Sequence, residues 1–195
     1  MKLILLRHGQ TQWNLTNKLQ GWRDSSLTPQ AKRQLSAMSP ALIKSDVIYS
    51  SDLGRAQSTA RIIANISRTH IITDTRLRER CFGALEGKQV LDSVSGGTFW
   101  HGYHQRYQAK MTSVPGVEKE QQFEQRINSW LSDITARHYG NTVLVVSHGE
   151  WLRALQNIIL GKLSWQQGNG ILSNGEPLAI RLAESVERNT ILHCD

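Results

Sequence analysis

The stretch Leu3-Ile4-Leu5-Leu6-Arg7-His8-Gly9 runs from four apolar residues directly into an Arg-His-Gly turn. A short continuous apolar run bounded by glycine is typical of a buried strand in a parallel sheet, because helices cover both faces of such a sheet. Ligands of parallel sheets bind beyond the carboxyl ends of the strands. The sequence therefore predicts a strand that delivers a histidine to a ligand site.

The same pattern recurs at Thr142-Val143-Leu144-Val145-Val146-Ser147-His148-Gly149, where a β-branched run again ends in His-Gly. A lone histidine in either turn is as often an ordinary turn residue as a functional one. Two such strands present two histidines to one edge of a sheet, which is much harder to attribute to chance. We therefore interpret His8 and His148 as parts of one site.

Length and composition limit the class of protein. The 195 residues fit one domain, 1–195, which is long enough to bury a full core without disulfides. Cys81 and Cys194 are too few for a disulfide framework or a zinc cluster, so we interpret both as free thiols. No apolar run approaches the ~18 residues of a membrane span, and the N-terminal run is too short for a signal peptide. We expect a cytoplasmic protein with no membrane partner.

The formal net charge of +7 raises the question of an anionic partner. The basic residues are dispersed, and no RNA-binding signature or Lys/Arg-rich tract is present, so we expect no nucleic-acid partner. Attraction of a small anionic substrate is the better interpretation, although solubility explains most individual lysines and arginines. The sequence leaves the oligomeric state open.

Capping signals place helices after two of the loops. Thr28-Pro29 is an N-cap followed by proline at the first helical position, and it predicts a helix to about Met38. The run 47–50 predicts a short strand, and Ser51-Asp52 can cap a helix from about Leu53 to Asn65. Together these segments form a strand-turn-helix unit.

The rest of the chain continues this alternation. A helical spacing of apolar residues from Glu120 to Tyr139 ends at Gly140. Residues 88–118 show only weak periodicity and are expected to form an irregular excursion with some helix. Strands that alternate with helices predict an α/β fold, a three-layer α/β/α sandwich with a mostly parallel central sheet. The other predicted elements are a strand at 71–73, a helix at 151–160 and a terminal strand pair at 178–182 and 190–193.

Two arginines add positive charge near the histidines: Arg7 precedes His8, and Arg55 lies near the start of the helix that follows the strand 47–50. Arginine meets phosphate oxygens bidentately and keeps its charge, so phosphate is the simplest ligand for this cluster. Histidine attacks phosphorus only through an unprotonated nitrogen, and neighbouring cations disfavour the imidazolium form. We predict that His8 is the nucleophile and that Arg7, Arg55 and His148 surround the phosphoryl oxygens.

An acid must also protonate the leaving oxygen. Glu79 and Glu86 both lie in the loop 77–87, which follows a predicted strand. Either carboxyl group is a candidate general acid, and a solvated glutamate between two arginines is the ordinary alternative for Glu79. Spacing alone does not choose between them.

An ordered set of short motifs covers most of the chain. The motifs are Arg7-His8-Gly9 with Thr11, Trp13 and Asn14; Gln20-Gly21-Trp22; Leu27-Thr28; residues 50–60; Leu77-Arg78-Glu79 with Phe82-Gly83 and Glu86-Gly87; and Ser147-His148-Gly149. In this set and order the chain resembles the histidine phosphatase superfamily, the phosphoglycerate mutase-like or two-histidine phosphatases. The resemblance implies a phosphoglycerate mutase-like fold.

The resemblance also implies roles for single residues. His8 would become the phosphohistidine, with Glu79 as the proton donor, while Arg7, Arg55 and His148 would hold the phosphoryl group. Two further residues occupy positions where the family often contacts phosphate or substrate. These are Asn14 and Gln20.

No metal or other cofactor is expected from the resemblance. The pair His101-x-x-His104 invites a metal assignment, but it has no acidic or cysteine partner nearby in the sequence. We interpret these two histidines as surface or substrate-loop residues.

Two departures favour a phosphatase over a mutase. The excursion 88–118 is short and lacks the arginine-pair and proline-rich segment that glycolytic phosphoglycerate mutases share, and Cys81-Phe82 replaces their His-Tyr pair. The length and the loop 77–87 resemble the branch that contains α-ribazole-5′-phosphate phosphatase and broad-specificity phosphatases. We expect a metal-independent phosphomonoester hydrolase that acts on a small phosphorylated metabolite, with α-ribazole 5′-phosphate as a candidate.

Alternatives remain open at this point. A phosphoglycerate mutase would need a stable phosphoenzyme, and a non-catalytic protein could bind a phosphate ligand on the same fold. The aromatic and basic residues of the excursion are expected to roof the site and set selectivity, although a structural role for each aromatic is as reasonable. The selectivity candidates are Trp100, Tyr103 and Arg106.

Overall fold

A five-stranded sheet forms the centre of the protein, which a computed structural model describes over residues 1–91, 97–108, 111 and 114–182. The strand order is β3-β2-β4-β1-β5. The first four strands are parallel, and β5 lies antiparallel to β1 at one edge. The strands are β1 Lys2–Arg7, β2 Val47–Ser50, β3 Ile71–Thr73, β4 Thr142–Ser147 and β5 Pro177–Arg181.

Helices cover both faces of this sheet. Because side chains alternate along a strand, Leu3 and Leu5 of β1 face one layer of helices while Ile4 and Leu6 face the other, and all four are buried. The predicted three-layer α/β/α sandwich with a mostly parallel sheet is confirmed. The helices are α1 Gln12–Leu15, α2 Pro29–Ser36, α3 Pro40–Ile43, α4 Gly54–Ser67, α5 Gly97–His104, α6 Glu120–Arg137 and α7 Gly149–Ile159.

The two helical layers differ in their contacts. On one face, Trp130 of α6 and Trp151 of α7 meet edge to face, with ring centroids 5.2 Å apart, above β1 and β4. On the other face, Leu35 of α2 and Ile63 of α4 pack against the opposite side of the same strands. The central strands are therefore buried from both sides, which explains their continuous apolar sequences.

The predicted cap of α2 is confirmed. Thr28 Oγ1 accepts a hydrogen bond from the Ala31 amide at 3.0 Å, and Pro29 occupies the first helical position. The helix ends at Ser36, two residues before the predicted end.

The predicted cap of α4 is wrong. Leu53 occupies the N-cap position and makes no side-chain cap bond, while the Arg55 amide donates to Asp24 Oδ1 at 3.2 Å. The Ser51 hydroxyl accepts only from the Leu53 amide ahead of the helix, at 3.3 Å, and is also in contact with His148 Nε2 at 2.9 Å. A loop distant in sequence therefore supplies the acceptor that local residues were expected to provide.

Several boundaries differ from the predicted ones. Helix α7 begins at Gly149 rather than Trp151, α6 ends at Arg137, and the short helices α1 and α3 were not predicted. The predicted strand at 178–182 corresponds to β5, whereas its partner at 190–193 and the thiol of Cys194 lie outside the described residues.

Cys81 is a free thiol. Across the described ranges, no helix has the length and apolar composition needed to cross a bilayer.

Candidate active site

The carboxyl ends of β1 and β4 bring the two histidines together. Arg7 is paired with Ser147 in the sheet register, so His8 and His148 follow at neighbouring positions. Their ring centroids are 5.2 Å apart, and both side chains are buried. The two His-Gly turns therefore build one site at the edge where ligands of parallel sheets bind.

The ring of His8 has a defined proton position. Its Nδ1 lies 2.8 Å from the Gly9 carbonyl oxygen, which only accepts, so Nδ1 carries the proton. Its Nε2 accepts from Arg55 Nε at 3.3 Å. Burial, reinforced by Arg55 and Arg7, holds the pKa of His8 well below its ordinary value. His8 thus presents an unprotonated Nε2, the form that attacks phosphorus.

His148 is neutral for the same reasons. Burial, with Arg55 and His8 next in weight, holds its pKa well below the ordinary value. Its Nε2 lies 2.9 Å from Ser51 Oγ, and its buried Nδ1 has no hydrogen-bond partner among the described residues. A buried ring nitrogen without a partner is costly, which makes this atom a candidate to bond a group bound beside His8.

Arg55 is fixed by three acceptors in one loop. Its Nη1 donates to the Arg23 carbonyl at 2.8 Å and to Asp24 Oδ1 at 3.1 Å, and its Nη2 donates to the Gly21 carbonyl at 2.7 Å. Arg7 donates from Nη1 to the Leu172 carbonyl at 2.9 Å. The buried Nε of Arg7 has no partner within the described part of the chain. Arg55 is therefore held rigidly beside His8, while one hydrogen bond anchors the Arg7 guanidinium group.

The loop that carries Gly21 requires glycine. Gly21 has a φ of +54°, and a Cβ placed there would lie 2.1 Å from Glu86 Oε1. That oxygen accepts from the Trp22 amide at 3.0 Å and from the Phe82 amide at 2.8 Å. Glu86 therefore ties two loops together, and its carboxylate is occupied by backbone donors. Glu86 also lies outside the wall of the cavity beside His8, whereas Glu79 lines it, a difference that the sequence alone could not show.

We expect Gly21→Ala to destabilise the protein by roughly 1–3 kcal/mol more than Gly161→Ala. Gly161 is a matched control because it has a φ of +67°, while no heavy atom lies within 4 Å of the place that a Cβ would occupy there. Both variants carry backbone strain, and only Gly21→Ala displaces Glu86 and the carbonyl that holds Arg55. Urea unfolding measures the difference, and equal losses would contradict the role of this loop.

Glu79 lies against the amino terminus of α7. Its Oε1 accepts from the amides of Arg80 at 2.9 Å and Trp151 at 3.2 Å, and its Oε2 accepts from the Glu150 amide at 3.2 Å. Burial, with the negative charge of Glu150, raises the pKa of Glu79 despite these donors and the charge of Arg55. Glu79 is therefore suited to carry a proton at a higher pH than an ordinary glutamate.

A cavity of about 160 Å³ opens on these groups. His148 is fully buried beside His8 and is not part of the cavity wall. Gln20 lines the cavity, and its buried Oε1 has no partner among the described residues. Asn14 also lines it, with Oδ1 occupied by the amide and hydroxyl of Thr11 at 3.0 Å each. Other wall residues are Arg7, Asn17, Lys18, Leu19, Gly21, Arg55, Glu79, Phe82, Val90, Tyr103, Gly149, Glu150 and Ile171.

The three selectivity candidates have different positions. Tyr103 lines the cavity. Trp100 does not, because it is buried in a hydrophobic cluster with Phe82 and Leu85. Arg106 also stays out of the wall, since its Nε donates to Glu150 Oε1 at 2.8 Å. The excursion therefore reaches the cavity through Val90 and Tyr103, while Trp100 anchors it to the core.

Two acidic residues of the site were not predicted from the sequence. Asp24 fixes Arg55, and Glu150 lines the cavity directly after the second His-Gly pair. An acid in the first turn of a helix is an ordinary stabiliser of the helix dipole, so its position alone signals no role in a site.

Within the described ranges, no three His, Cys, Asp or Glu side chains converge as metal ligands. His104 instead contacts the Leu91 carbonyl through Nε2 at 2.6 Å.

Comparisons with known proteins agree with this geometry. The family model of the histidine phosphatase superfamily (branch 1) matches residues 3–185. A probable phosphoglycerate mutase, GpmB, of Salmonella paratyphi C is 34% identical over 172 residues, which are 86% of this chain and 78% of the relative.

Two solved structures extend the comparison. YhfR of Bacillus stearothermophilus has a TM-score of 0.80 at 30% identity, and the match covers 92% of this chain and 90% of the YhfR chain. A mycobacterial glucosyl-3-phosphoglycerate phosphatase, in complex with VO3, has a TM-score of 0.80 at 26% identity and covers 91% of both chains. The relatives therefore include proteins named as phosphatases and as mutases.

Proposed function

Since the chain belongs to the histidine phosphatase superfamily (branch 1), we propose that it hydrolyses phosphomonoesters through a phosphohistidine at His8. The observation that carries this proposal is the unprotonated Nε2 of His8, buried in the wall of a cavity that Arg7 and Arg55 also line. Arg7 and Arg55 supply permanent positive charge for the phosphoryl oxygens, so the reaction we propose requires no metal ion.

In the first half-reaction, His8 Nε2 attacks phosphorus as the bond from phosphorus to the leaving oxygen breaks. The N–H of Arg55 Nε, which donates to His8 Nε2 at 3.3 Å, donates instead to a phosphoryl oxygen that arrives in front of His8, while the guanidinium group stays in place. The buried Nε of Arg7 donates to a second phosphoryl oxygen. With its Nε2 accepting from the Ser51 hydroxyl, the neutral ring of His148 carries its proton on the buried Nδ1, which donates a further hydrogen bond to a phosphoryl oxygen. The products are an alcohol and the phosphorylated enzyme.

Glu79 completes the proton balance. Its carboxyl group gives a proton to the leaving oxygen, and Oε2 is the better carrier because it accepts one long hydrogen bond whereas Oε1 accepts two. In the second half-reaction, Glu79 takes a proton from water, the water oxygen attacks phosphorus, and the bond to His8 Nε2 breaks. Inorganic phosphate leaves, and both residues return to their starting states.

Phosphoglycerate mutase activity is the second candidate. It is favoured by the 34% identity to the relative named as a probable phosphoglycerate mutase. A mutase must retain the phosphoryl group on histidine until the alcohol has rebound. Phe82 contributes only an apolar ring to the cavity wall where glycolytic phosphoglycerate mutases have the tyrosine of their His-Tyr pair, and this difference supports hydrolysis.

The size of the cavity favours a small substrate. About 160 Å³ accommodates a phosphoryl group and a compact leaving group. Asn17, Gln20 and Tyr103 are residues with amide and hydroxyl groups in the cavity wall, which fits a hydroxylated alcohol better than an apolar one. We therefore propose a small phosphorylated metabolite, with α-ribazole 5′-phosphate kept as a candidate on the sequence resemblance.

We expect phosphate release from at least one small ester in the presence of EDTA. A panel of sugar phosphates, nucleotides, phosphoglycerates, phosphoserine and α-ribazole phosphate ranks the substrates. Vanadate is expected to compete with the ester, because the cationic site accepts a phosphate-like anion.

Each result of the panel discriminates between the candidates. Phosphate release that survives EDTA supports the hydrolase. Isomerisation of phosphoglycerate that depends on 2,3-bisphosphoglycerate, without phosphate release, would replace it by the mutase. Binding of phosphate without any turnover would leave only a ligand-binding protein.

A further inference from the structure

Glu150 is a buried carboxylate to which the proposed reaction assigns no role. It lies one residue after the His148-Gly149 pair, lines the cavity and has a side chain that is only 5% exposed. Its Oε1 accepts from Arg106 Nε at 2.8 Å and from the Tyr107 hydroxyl at 2.6 Å, and its Oε2 accepts from Arg153 Nε at 2.9 Å. A buried charge with three partners is a built feature of the site.

Glu150 and Glu79 share the amino terminus of α7. The backbone amide of Glu150 donates to Glu79 Oε2, while the Glu150 side chain turns to the arginines. Two carboxyl groups thus lie on adjacent elements in one desolvated region. In such a pair, a negative charge on one group disfavours ionisation of the other.

Most other groups around Glu79 favour loss of its proton. Three backbone amides, from its own loop and from α7, donate to its oxygens. Arg7 at the end of β1 and Arg55 on α4 add positive charge, and Tyr103 of the excursion faces the same region. Apart from burial, the Glu150 charge is the main influence in the opposite direction.

We propose that Glu150 is a positioning residue that keeps the proton on Glu79, by placing a second negative charge beside it and by neutralising Arg106 and Arg153. This inference rests on the role of Glu79 in the proposed function. It assigns Glu150 no contact with the reacting atoms. Through their ion pairs with Glu150, Arg106 and Arg153 also affect how readily Glu79 keeps its proton.

Arg106 and Arg153 each have partners other than Glu150 that hold them in place. Arg106 also donates to the Tyr103 carbonyl at 2.8 Å and lies over the Tyr103 ring at 4.0 Å. Arg153 also donates to the carbonyls of Ser164, at 2.8 Å, and of Gln166. Replacing Glu150 by glutamine therefore removes one negative charge and leaves two buried cations near Glu79. Both changes favour ionised Glu79.

The test is the pH dependence of kcat/KM for glycerol phosphate, whose leaving group needs a proton. Activity falls as pH rises through the pKa of Glu79, because the acid form is lost. In Glu150→Gln this alkaline limb is expected to move to lower pH by about one unit. Glu150→Asp keeps the charge and should restore the limb. Arg106→Gln removes a cation and should move the limb to higher pH.

Asp133→Asn is a matched control. Asp133, like Glu150, pairs with two arginines, Arg76 at 2.9 Å and Arg137 at 3.3 Å, and it lies outside the cavity wall. It should leave the limb in place. The inference would be overturned if the alkaline limb of kcat/KM stayed at the wild-type pH in both Glu150→Gln and Arg106→Gln. Because wild type would still hydrolyse the ester in that case, the proposed function would stand.

A second readout does not depend on turnover. The carboxyl ¹³C signal of Glu79, identified by its absence in Glu79→Gln, reports its titration directly in wild type and Glu150→Gln. If wild type hydrolysed no ester, the proposed function would fail and the catalytic part of the inference with it. A Glu79 signal that titrates at the same pH in both proteins would overturn the electrostatic part.

Discussion

Replacing His8 with glutamine is expected to lower the rate of phosphate release by about 10⁴-fold or more, the order of loss when a catalytic nucleophile is removed. Glutamine keeps polar atoms and similar bulk but has no nitrogen lone pair that can attack phosphorus. The Nε2 of His8 is the buried, unprotonated atom on which the proposed reaction depends. Initial rates with the best ester of the panel measure the effect.

The matched control for this change is His70→Gln. His70 is exposed and lies just before β3, away from the cavity. Its replacement should leave the rate within about twofold of wild type, as is usual for surface substitutions. A folded His8→Gln variant that keeps more than a tenth of the activity would rule out His8 as the nucleophile.

Replacing Glu79 with glutamine is expected to separate substrates by leaving group. For glycerol phosphate the rate should fall by about 10²–10⁴-fold, since no acid protonates the alkoxide. For p-nitrophenyl phosphate, whose phenolate leaves without a proton, the first half-reaction should persist. Hydrolysis of the phosphoenzyme then lacks its base, so we expect a rapid release of one p-nitrophenol per enzyme followed by slow turnover.

Stopped-flow absorbance measures this burst. Glu176→Gln is the control, because Glu176 is an exposed carboxylate outside the cavity. It should show wild-type kinetics with both esters. Equal losses with the two esters in Glu79→Gln would contradict the role of Glu79 as general acid and would return Glu86 to consideration.

The central strands could be predicted from the sequence because burial on both faces left a continuous apolar run in β1 and β4. The same runs located His8 and His148, since parallel neighbours end at one edge. One-turn helices such as α1 and α3 could not be predicted, because four residues are too few to show a helical period.

The side-chain roles at the site depended on contacts between distant segments. Glu79 and Glu86 look alike in sequence, and both accept backbone amides in the structure. Only the fold shows that Glu79 lines the cavity while Glu86 lies outside its wall. Trp100 has a large aromatic side chain of the kind that often lines a ligand cavity, yet it packs against Phe82 in a buried hydrophobic cluster. Asp24 was not predicted to cap α4 because it lies about thirty residues earlier in the chain.

The most direct test of a phosphohistidine at His8 is covalent trapping of the phosphoenzyme. Glu79→Gln is mixed with p-nitrophenyl phosphate, quenched in base and digested, and its peptides are examined by mass spectrometry. We predict one phosphoryl group on the peptide that contains His8, stable in base and lost in acid, and none in His8→Gln. Release of p-nitrophenol without any phosphorylated peptide, or with the phosphoryl group on another residue, would contradict this mechanism.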